Sequence, residues 1–127
     1  MRNIPLDGLT QTVTELSVLR DRLRRFAAER DWDQYHSPKN LAMALIAEAA
    51  ELVEHFQWLS ESQSAALSPE TRKEVEAEIA DVLIYLVRLA DKLDIDLARA
   101  AISKMALNEV RYPVDQVRGS AKKYTEY

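Results

Sequence analysis

The sequence LAMALIAEAAELVEHFQWL, residues 41–59, is the strongest indication of the fold. In it, 14 of 19 residues are Ala, Val, Ile, Leu, Met, Phe or Trp. Such a composition predicts a helix that is covered on most of its faces. Ser37 and Pro38 supply an N-cap and a first-turn proline, so we predict this helix over residues 38–59. A four-helix domain cannot easily cover it alone, and we therefore expect it to lie at a subunit interface as well as in the core.

Three further helices are predicted from apolar periodicity and capping residues. They are residues 9–30 with Asp7 as N-cap, residues 69–93 with Ser68 as N-cap, and a helix from the break at residues 94–96 to Arg111. The Ser-rich residues 60–68 are predicted as a linker or irregular turn. The predicted fold class is all-α, a four-helix-type bundle forming one domain over residues 1–127. Its tail, residues 113–127, is expected to be less regular.

Composition excludes several classes of protein. The chain has 127 residues, two Gly and no Cys, so it holds no Gly-rich phosphate loop, disulfide scaffold or zinc ribbon. The net charge of −4 argues against nucleic acid as a partner, because proteins that bind duplexes through phosphates are usually basic. No apolar run approaches the ~20 residues that span a bilayer, so no membrane partner is expected. We predict a cytoplasmic protein.

Four carboxylates stand in apolar surroundings. Glu48 and Glu51 are three residues apart on the second predicted helix, and Glu78 and Asp81 repeat that spacing on the third. No Lys or Arg occurs between Lys39 and Arg72 to neutralise them. Two antiparallel helices would bring the four groups together, and buried carboxylates repel unless a cation such as Mg²⁺ takes their oxygens as ligands. A solvated acidic face is the alternative.

Cations and aromatic residues offer further contacts. Cationic and polar side chains near the end of the fourth predicted helix and in the tail are suited to binding phosphates, and aromatic rings beside the second helix are suited to stacking a base. Helix-dipole and core-packing roles are the alternatives. The two sets are Lys104, Asn108, Arg111, Tyr112, Lys122 and Lys123, and Trp32, Tyr35, His36 and Trp58.

Several stretches together resemble a known family. They are Glu48-x-x-Glu51 followed after 26 residues by Glu78-x-x-Asp81, and the sequences RDWDQYHSPKNLAMALIAEAAELVEHFQW (30–58), EIADVLIYLVRLAD (78–91), KMALNEVRYP (104–113) and GSAKKYTEY (119–127). This combination is similar to the all-α nucleoside triphosphate pyrophosphatases, the MazG-like superfamily, in its small single-domain dCTP pyrophosphatase branch. The resemblance covers about residues 16–127.

The resemblance implies a Mg²⁺-dependent enzyme, with Mn²⁺ as an alternative metal, that hydrolyses a nucleoside triphosphate to the monophosphate and pyrophosphate. It implies a preference for dCTP or modified dCTP, a role in cleaning the nucleotide pool, and a homotetramer arranged as a dimer of dimers. By position, the metal ligands would be Glu48, Glu51, Glu78 and Asp81, with Glu48 or Glu51 as the catalytic carboxylate. The substrate-binding residues would be Trp32, His36, Trp58, Tyr85, Lys104, Asn108, Arg111, Tyr112 and Lys123.

One departure affects the choice of base. Leu23 stands where animal members of this branch carry a His, and a lost hydrogen-bonding group weakens discrimination between bases. Two other functions fit the same residues. One is a non-catalytic helical oligomerisation protein with a solvated acidic face, and the other is a regulator that binds nucleotide without turnover.

Overall fold

A computed structural model describes residues 15–126, and within them the chain is all-α with six helices and no strand. The helices are α1 (Glu15–Glu29), α2 (Pro38–Glu54), α3 (Glu61–Ser64), α4 (Pro69–Lys92), α5 (Leu97–Arg111) and α6 (Val114–Val117). Two 3₁₀ segments, Asp33–Tyr35 and Tyr124–Glu126, complete the described elements. No helix in this part of the chain is long and apolar enough to cross a membrane.

Three helices begin where local side chains can cap them. The side chains of Ser37, Ser68 and Asp96 accept hydrogen bonds from the backbone N–H three residues later, which satisfies a donor that the helix leaves unpaired. Pro38 and Pro69 follow two of these caps and bring the φ angle that a first turn needs. The predicted starts of α2, α4 and α5 are confirmed.

The end of α2 differs from the prediction. The helix stops at Glu54 instead of near residue 59, because the backbone N–H groups of His55, Phe56 and Leu59 bond three residues back and tighten the chain into turns. Ser60 then takes an extended conformation and forms a capping box with Gln63, which starts α3 inside the predicted linker. The first helix, predicted over residues 9–30, ends at Glu29. Its predicted N-cap Asp7 and residues 9–14 lie outside the described residues.

The chain divides into two compact units, residues up to Ile95 and residues from Asp96 onward. In the first unit α1 and α2 both pack against α4, and the buried apolar residues are Ala27, Leu41, Val75, Val87 and Ala90. Asp94, at the end of this unit, has a positive φ of 55°, a conformation that Asp tolerates better than most residues. The second unit contains α5 and α6, which Tyr112 and Pro113 separate.

The apolar surface of α2 is not fully covered within one chain. Met43 is 59% exposed, Ile46 is 68% exposed and Val53 is 56% exposed. Leu41 is the one large side chain of the described residues with less than 2% exposure. A single copy therefore buries one face of α2 against α4 and leaves another apolar face open.

Candidate metal centre

The packing of α2 against α4 brings carboxylates from both helices together. Glu48, Glu78 and Asp81 each offer one oxygen, and the three oxygens lie within 4.8 Å of one another. All three side chains are half-buried. Three oxygen donors at this separation match the hard, oxygen-only ligation that Mg²⁺ prefers.

Glu51 belongs to the same group of carboxylates, although it is more exposed. It lies one turn after Glu48 on α2, and its carboxyl group raises the pKa of both Glu48 and Glu78. The predicted convergence of the two Glu-x-x-Glu/Asp pairs therefore holds for the three half-buried residues, with Glu51 at their edge. The assignment of the four residues as metal ligands stays a prediction.

The protonation equilibria of the cluster show the cost of placing these groups together. Burial and, after it, the neighbouring carboxyl groups of Glu51 and Glu78 together raise the pKa of Glu48 to about 7. Burial likewise raises the pKa of Glu78, and the carboxyl group of Glu51 contributes. A bound cation would lower both pKa values again, because positive charge among the oxygens favours the ionised carboxylates.

The hydrogen bonding of one carboxylate oxygen indicates whether the cluster suits a metal ion. Oε2 of Glu48 is buried and has no hydrogen-bond partner among the described residues. A buried polar atom without a partner is costly, and such atoms are uncommon in folded proteins. Because carboxylate oxygens of Glu78 and Asp81 lie within 4.8 Å of a Glu48 oxygen and cannot donate to it when ionised, a divalent cation is the ligand that satisfies these three acceptors, and the residues fit Mg²⁺.

His55 is a neighbour of the cluster that the sequence patterns did not select. It caps the C-terminus of α2, with Nε2 4.0 Å from Oε1 of Glu78 and Nδ1 3.7 Å from Oε2 of Glu74. Its position one residue after Glu54 and four after Glu51 is the signal that would have placed it near the acidic face.

The predicted aromatic residues occupy different environments. Trp32 precedes the 3₁₀ segment and contacts Phe26 edge-to-face, with ring centroids 5.6 Å apart. His36 is half-buried and lies 3.2 Å from Arg88, measured from Nδ1 to Nη2. Trp58 is 87% exposed in the turns after α2. Tyr85 is half-buried on α4, four residues after Asp81 and so on the same side of the helix.

The predicted phosphate-binding residues all belong to the second unit. Lys104 is exposed on α5, Asn108 is half-buried there, and Arg111 and Tyr112 are half-buried at the end of the helix. The exposed Lys123 follows in the tail, where its backbone N–H donates to Glu126. Their part in substrate binding stays a prediction.

The all-α fold and the carboxylate cluster between two helices place this chain in the class of candidate metal-dependent helical proteins. Comparison with known proteins identifies the family within that class. The model of the MazG-like family matches residues 44–127. This chain belongs to the MazG-like family.

Individual relatives agree with this assignment. The chain is 53% identical over 103 residues to dCTP pyrophosphatase 1 of Rattus norvegicus and 48% identical to that of Homo sapiens; each match covers 80% of this chain and 61% of the relative. The chain thus spans less than two thirds of these relatives. Its structure is similar to the crystal structure of a pyrophosphatase from Archaeoglobus fulgidus DSM 4304, with a TM-score of 0.74 and 42% identity, covering 84% of this chain and 99% of that one.

Proposed function

We propose that this protein is a Mg²⁺-dependent nucleoside triphosphate pyrophosphohydrolase. It converts a nucleoside triphosphate and water to the monophosphate and pyrophosphate, with a preference for dCTP or modified dCTP, and so removes unwanted nucleotides. The observation that carries the proposal is the cluster of Glu48, Glu78 and Asp81, with an unpartnered buried oxygen on Glu48. The names of the rat and human relatives support the choice of substrate class.

The acidic cluster would hold the metal. Glu48, Glu51, Glu78 and Asp81 are the proposed ligands, with Mn²⁺ as an alternative ion. Bound Mg²⁺ would neutralise the negative charge of the triphosphate and lower the pKa of water. Glu48 or Glu51 would orient the attacking water and accept its proton. The water oxygen forms a bond to the α-phosphorus, the bond from that phosphorus to the bridging oxygen breaks, and pyrophosphate leaves with the electron pair.

The other proposed roles concern positioning of the nucleotide. Phosphoryl transfer depends mainly on charge neutralisation and alignment, so cations that bind the phosphates carry much of the catalytic effect. We assign the phosphates and sugar to Lys104, Asn108, Arg111, Tyr112 and Lys123, and we assign Tyr85 to binding of the same substrate. We assign the base to Trp32, His36 and Trp58.

We further propose that the active form is a homotetramer, a dimer of dimers, located in the cytoplasm. The exposed apolar residues Met43, Ile46 and Val53 on α2 support assembly, because one copy leaves them in water. The 87% exposure of Trp58 supports a base pocket that a second copy completes.

Release of pyrophosphate from a panel of dNTPs and NTPs, with and without Mg²⁺, tests the proposal. We expect Mg²⁺-dependent release that is fastest with dCTP and is lost in Glu48→Gln and Asp81→Asn. Glu76→Gln is the matched control, since Glu76 is an exposed acid on α4 that pairs with Arg72. Release at the wild-type rate from Glu48→Gln would contradict the metal assignment.

The same assay separates the alternative functions. A nucleotide-binding regulator would bind dCTP and Mg²⁺ in calorimetry but release no pyrophosphate. A non-catalytic oligomerisation protein would neither bind nor release. Equal release from all bases would keep the hydrolase and remove the preference for cytosine.

A further inference from the structure

Arg88 on α4 is the charged residue that is fully buried within the described part of the chain, with 3% exposure. A buried guanidinium needs partners, because it loses its hydration and keeps its charge. Its Nη2 donates to Oδ1 of Asp33 at 2.8 Å. Its Nη1 reaches Oδ2 of Asp91 at 3.5 Å. Both carboxylates therefore compensate one buried cation.

Asp33 links this cation to the segment between α1 and α2. It begins the 3₁₀ segment Asp33–Tyr35, and it also accepts a hydrogen bond from Nζ of Lys92 at 2.9 Å. Two cations on α4 thus hold the segment. Trp32 and His36 lie on either side of it and are the residues to which we assign the base.

The contact between Arg88 and His36 determines where the imidazole carries its proton. Nη2 of Arg88 lies 3.2 Å from Nδ1 of His36. A guanidinium has only donors and stays protonated in proteins, so Nδ1 must be the acceptor. The neutral ring then carries its proton on Nε2. No hydrogen-bond partner of Nε2 is found among the described residues, which leaves that N–H available.

The charged neighbours favour the neutral ring. Burial lowers the pKa of His36, and the positive charges of Arg88 and Lys92 lower it further, whereas the negative charge of Asp33 opposes them. The surroundings of His36 therefore stabilise its neutral form. A neutral ring with a fixed proton is a directional donor, whereas an imidazolium would donate from both nitrogens.

We propose that Arg88 is a positioning residue that holds His36 as an Nε2–H donor toward the base of the substrate. The ligand it selects is a nucleotide whose base presents a hydrogen-bond acceptor, such as the carbonyl oxygen or ring nitrogen of cytosine. This inference rests on the proposed function, which places His36 in the base pocket. Arg88 acts on the substrate through His36 and has no assigned contact with the substrate itself.

Nitrogen NMR of the imidazole rings tests the tautomer without any substrate. The chain has two histidines, so His55→Gln assigns both spectra. We expect His36 at pH 7 to show an unprotonated Nδ1 and a protonated Nε2. In Arg88→Gln its pKa should rise, because a positive neighbour is lost and Asp33 remains. A proton on Nδ1 in the wild-type protein, or an unchanged pKa in Arg88→Gln, would overturn the proposal.

A double-mutant cycle tests the route of action. We expect Arg88→Gln and His36→Ala each to raise the KM for dCTP about tenfold while kcat changes less than threefold. The double variant should be no worse than His36→Ala, since Arg88 acts through His36. Arg72→Gln, which removes an exposed Arg from the same helix, is the control and should keep the wild-type KM. Independent effects that multiply in the double variant would contradict the proposal.

Two further measurements distinguish a failure of the proposal for Arg88 from a failure of the proposed function. Arg88→Lys retains a cation near Asp33 but lacks the planar fork, so it should fold and still raise the KM; a wild-type KM in this variant would count against the proposal. Wild-type protein that releases no pyrophosphate would overturn the proposed function. The NMR result for His36 would still decide whether Arg88 sets its tautomer.

Discussion

Arg24 on α1 forms a two-point ion pair with Asp91 on α4, in which Nε donates to Oδ2 at 2.7 Å and Nη2 donates to Oδ1. The Asp91 side chain is only 8% exposed, while that of Arg24 is 53% exposed. Since Asp91 also faces the buried Arg88, one carboxylate connects α1 to the cation that holds the 3₁₀ segment. The packing of α1 on α4 thus depends on a charged contact as well as on apolar ones.

Replacing this carboxylate should weaken the fold. We expect Asp91→Asn to lower the free energy of unfolding by about 1–3 kcal/mol, because Arg88 stays buried with one anionic partner fewer. Urea unfolding followed by circular dichroism measures the change. Asp21→Asn is the control: Asp21 is 56% exposed and pairs with Arg20 and Arg24, so its loss should cost under about 0.5 kcal/mol. Equal losses in the two variants would contradict this account.

Asp91 and Asp33 predict how the free energy of unfolding depends on pH. The Arg24 guanidinium holds the pKa of Asp91 below its ordinary value, and Lys92 and Arg88 do the same for Asp33. A carboxyl group whose pKa is lowered by folding contributes fully to stability when the pH is above its ordinary pKa of about 3.8. This contribution is lost as the pH falls through the lowered pKa of the folded state. We expect the free energy of unfolding, measured from pH 5 to pH 2.5, to fall less steeply in Asp91→Asn. A steeper fall in the variant would refute the assignment.

Mg²⁺ should stabilise the native protein through the acidic cluster. A ligand that binds only the folded state adds RT ln(1 + [L]/Kd), about 2.7 kcal/mol at a hundredfold excess over Kd. We expect Mg²⁺ to raise the Tm of the wild-type protein but not that of Glu48→Gln, as measured by scanning calorimetry. In EDTA the variant should melt no lower than the wild-type protein, because the substitution relieves repulsion among the carboxylates.

The control for the metal is again Glu76→Gln, in which Mg²⁺ should raise the Tm as much as in the wild-type protein. A rise of the same size in Glu48→Gln would show that Mg²⁺ acts elsewhere.

The open face of α2 predicts the effect of a charge on assembly. We expect Ile46→Glu to lower the mass in solution from that of the proposed tetramer, because Ile46 is 68% exposed in one copy and a charge would prevent its burial between copies. Light scattering coupled to size exclusion measures the mass. Lys39→Glu, at an exposed position in the first turn of the same helix, should leave it unchanged. A wild-type mass in Ile46→Glu would exclude this face as the interface.

Much of the fold follows from local sequence. Ser37-Pro38 and Ser68-Pro69 predict the starts of α2 and α4, and the break at residues 94–96 predicts the start of α5, because a cap and its helix need only a few neighbouring residues. The convergence of Glu48 with Glu78 and Asp81 was predictable too, since helical periodicity places each pair on one face and apolar neighbours bring the faces together. The capping box at Ser60 and Gln63 is equally local, but the Ser-rich composition of residues 60–68 favours a linker and gives no sign of it.

The rest was decided by tertiary structure. The early end of α2 at Glu54 was not predictable from its apolar run, because helix periodicity continues to Leu59 and only the observed turns redirect the chain. The burial of Arg88 against Asp33 joins residues 55 positions apart, and no local pattern identifies such a pair. Local sequence thus specifies the helices, their caps and the acidic faces, which depend on neighbouring residues. Packing brings Arg88 into the interior and into contact with His36, because desolvation and long-range contacts exist only in the folded chain.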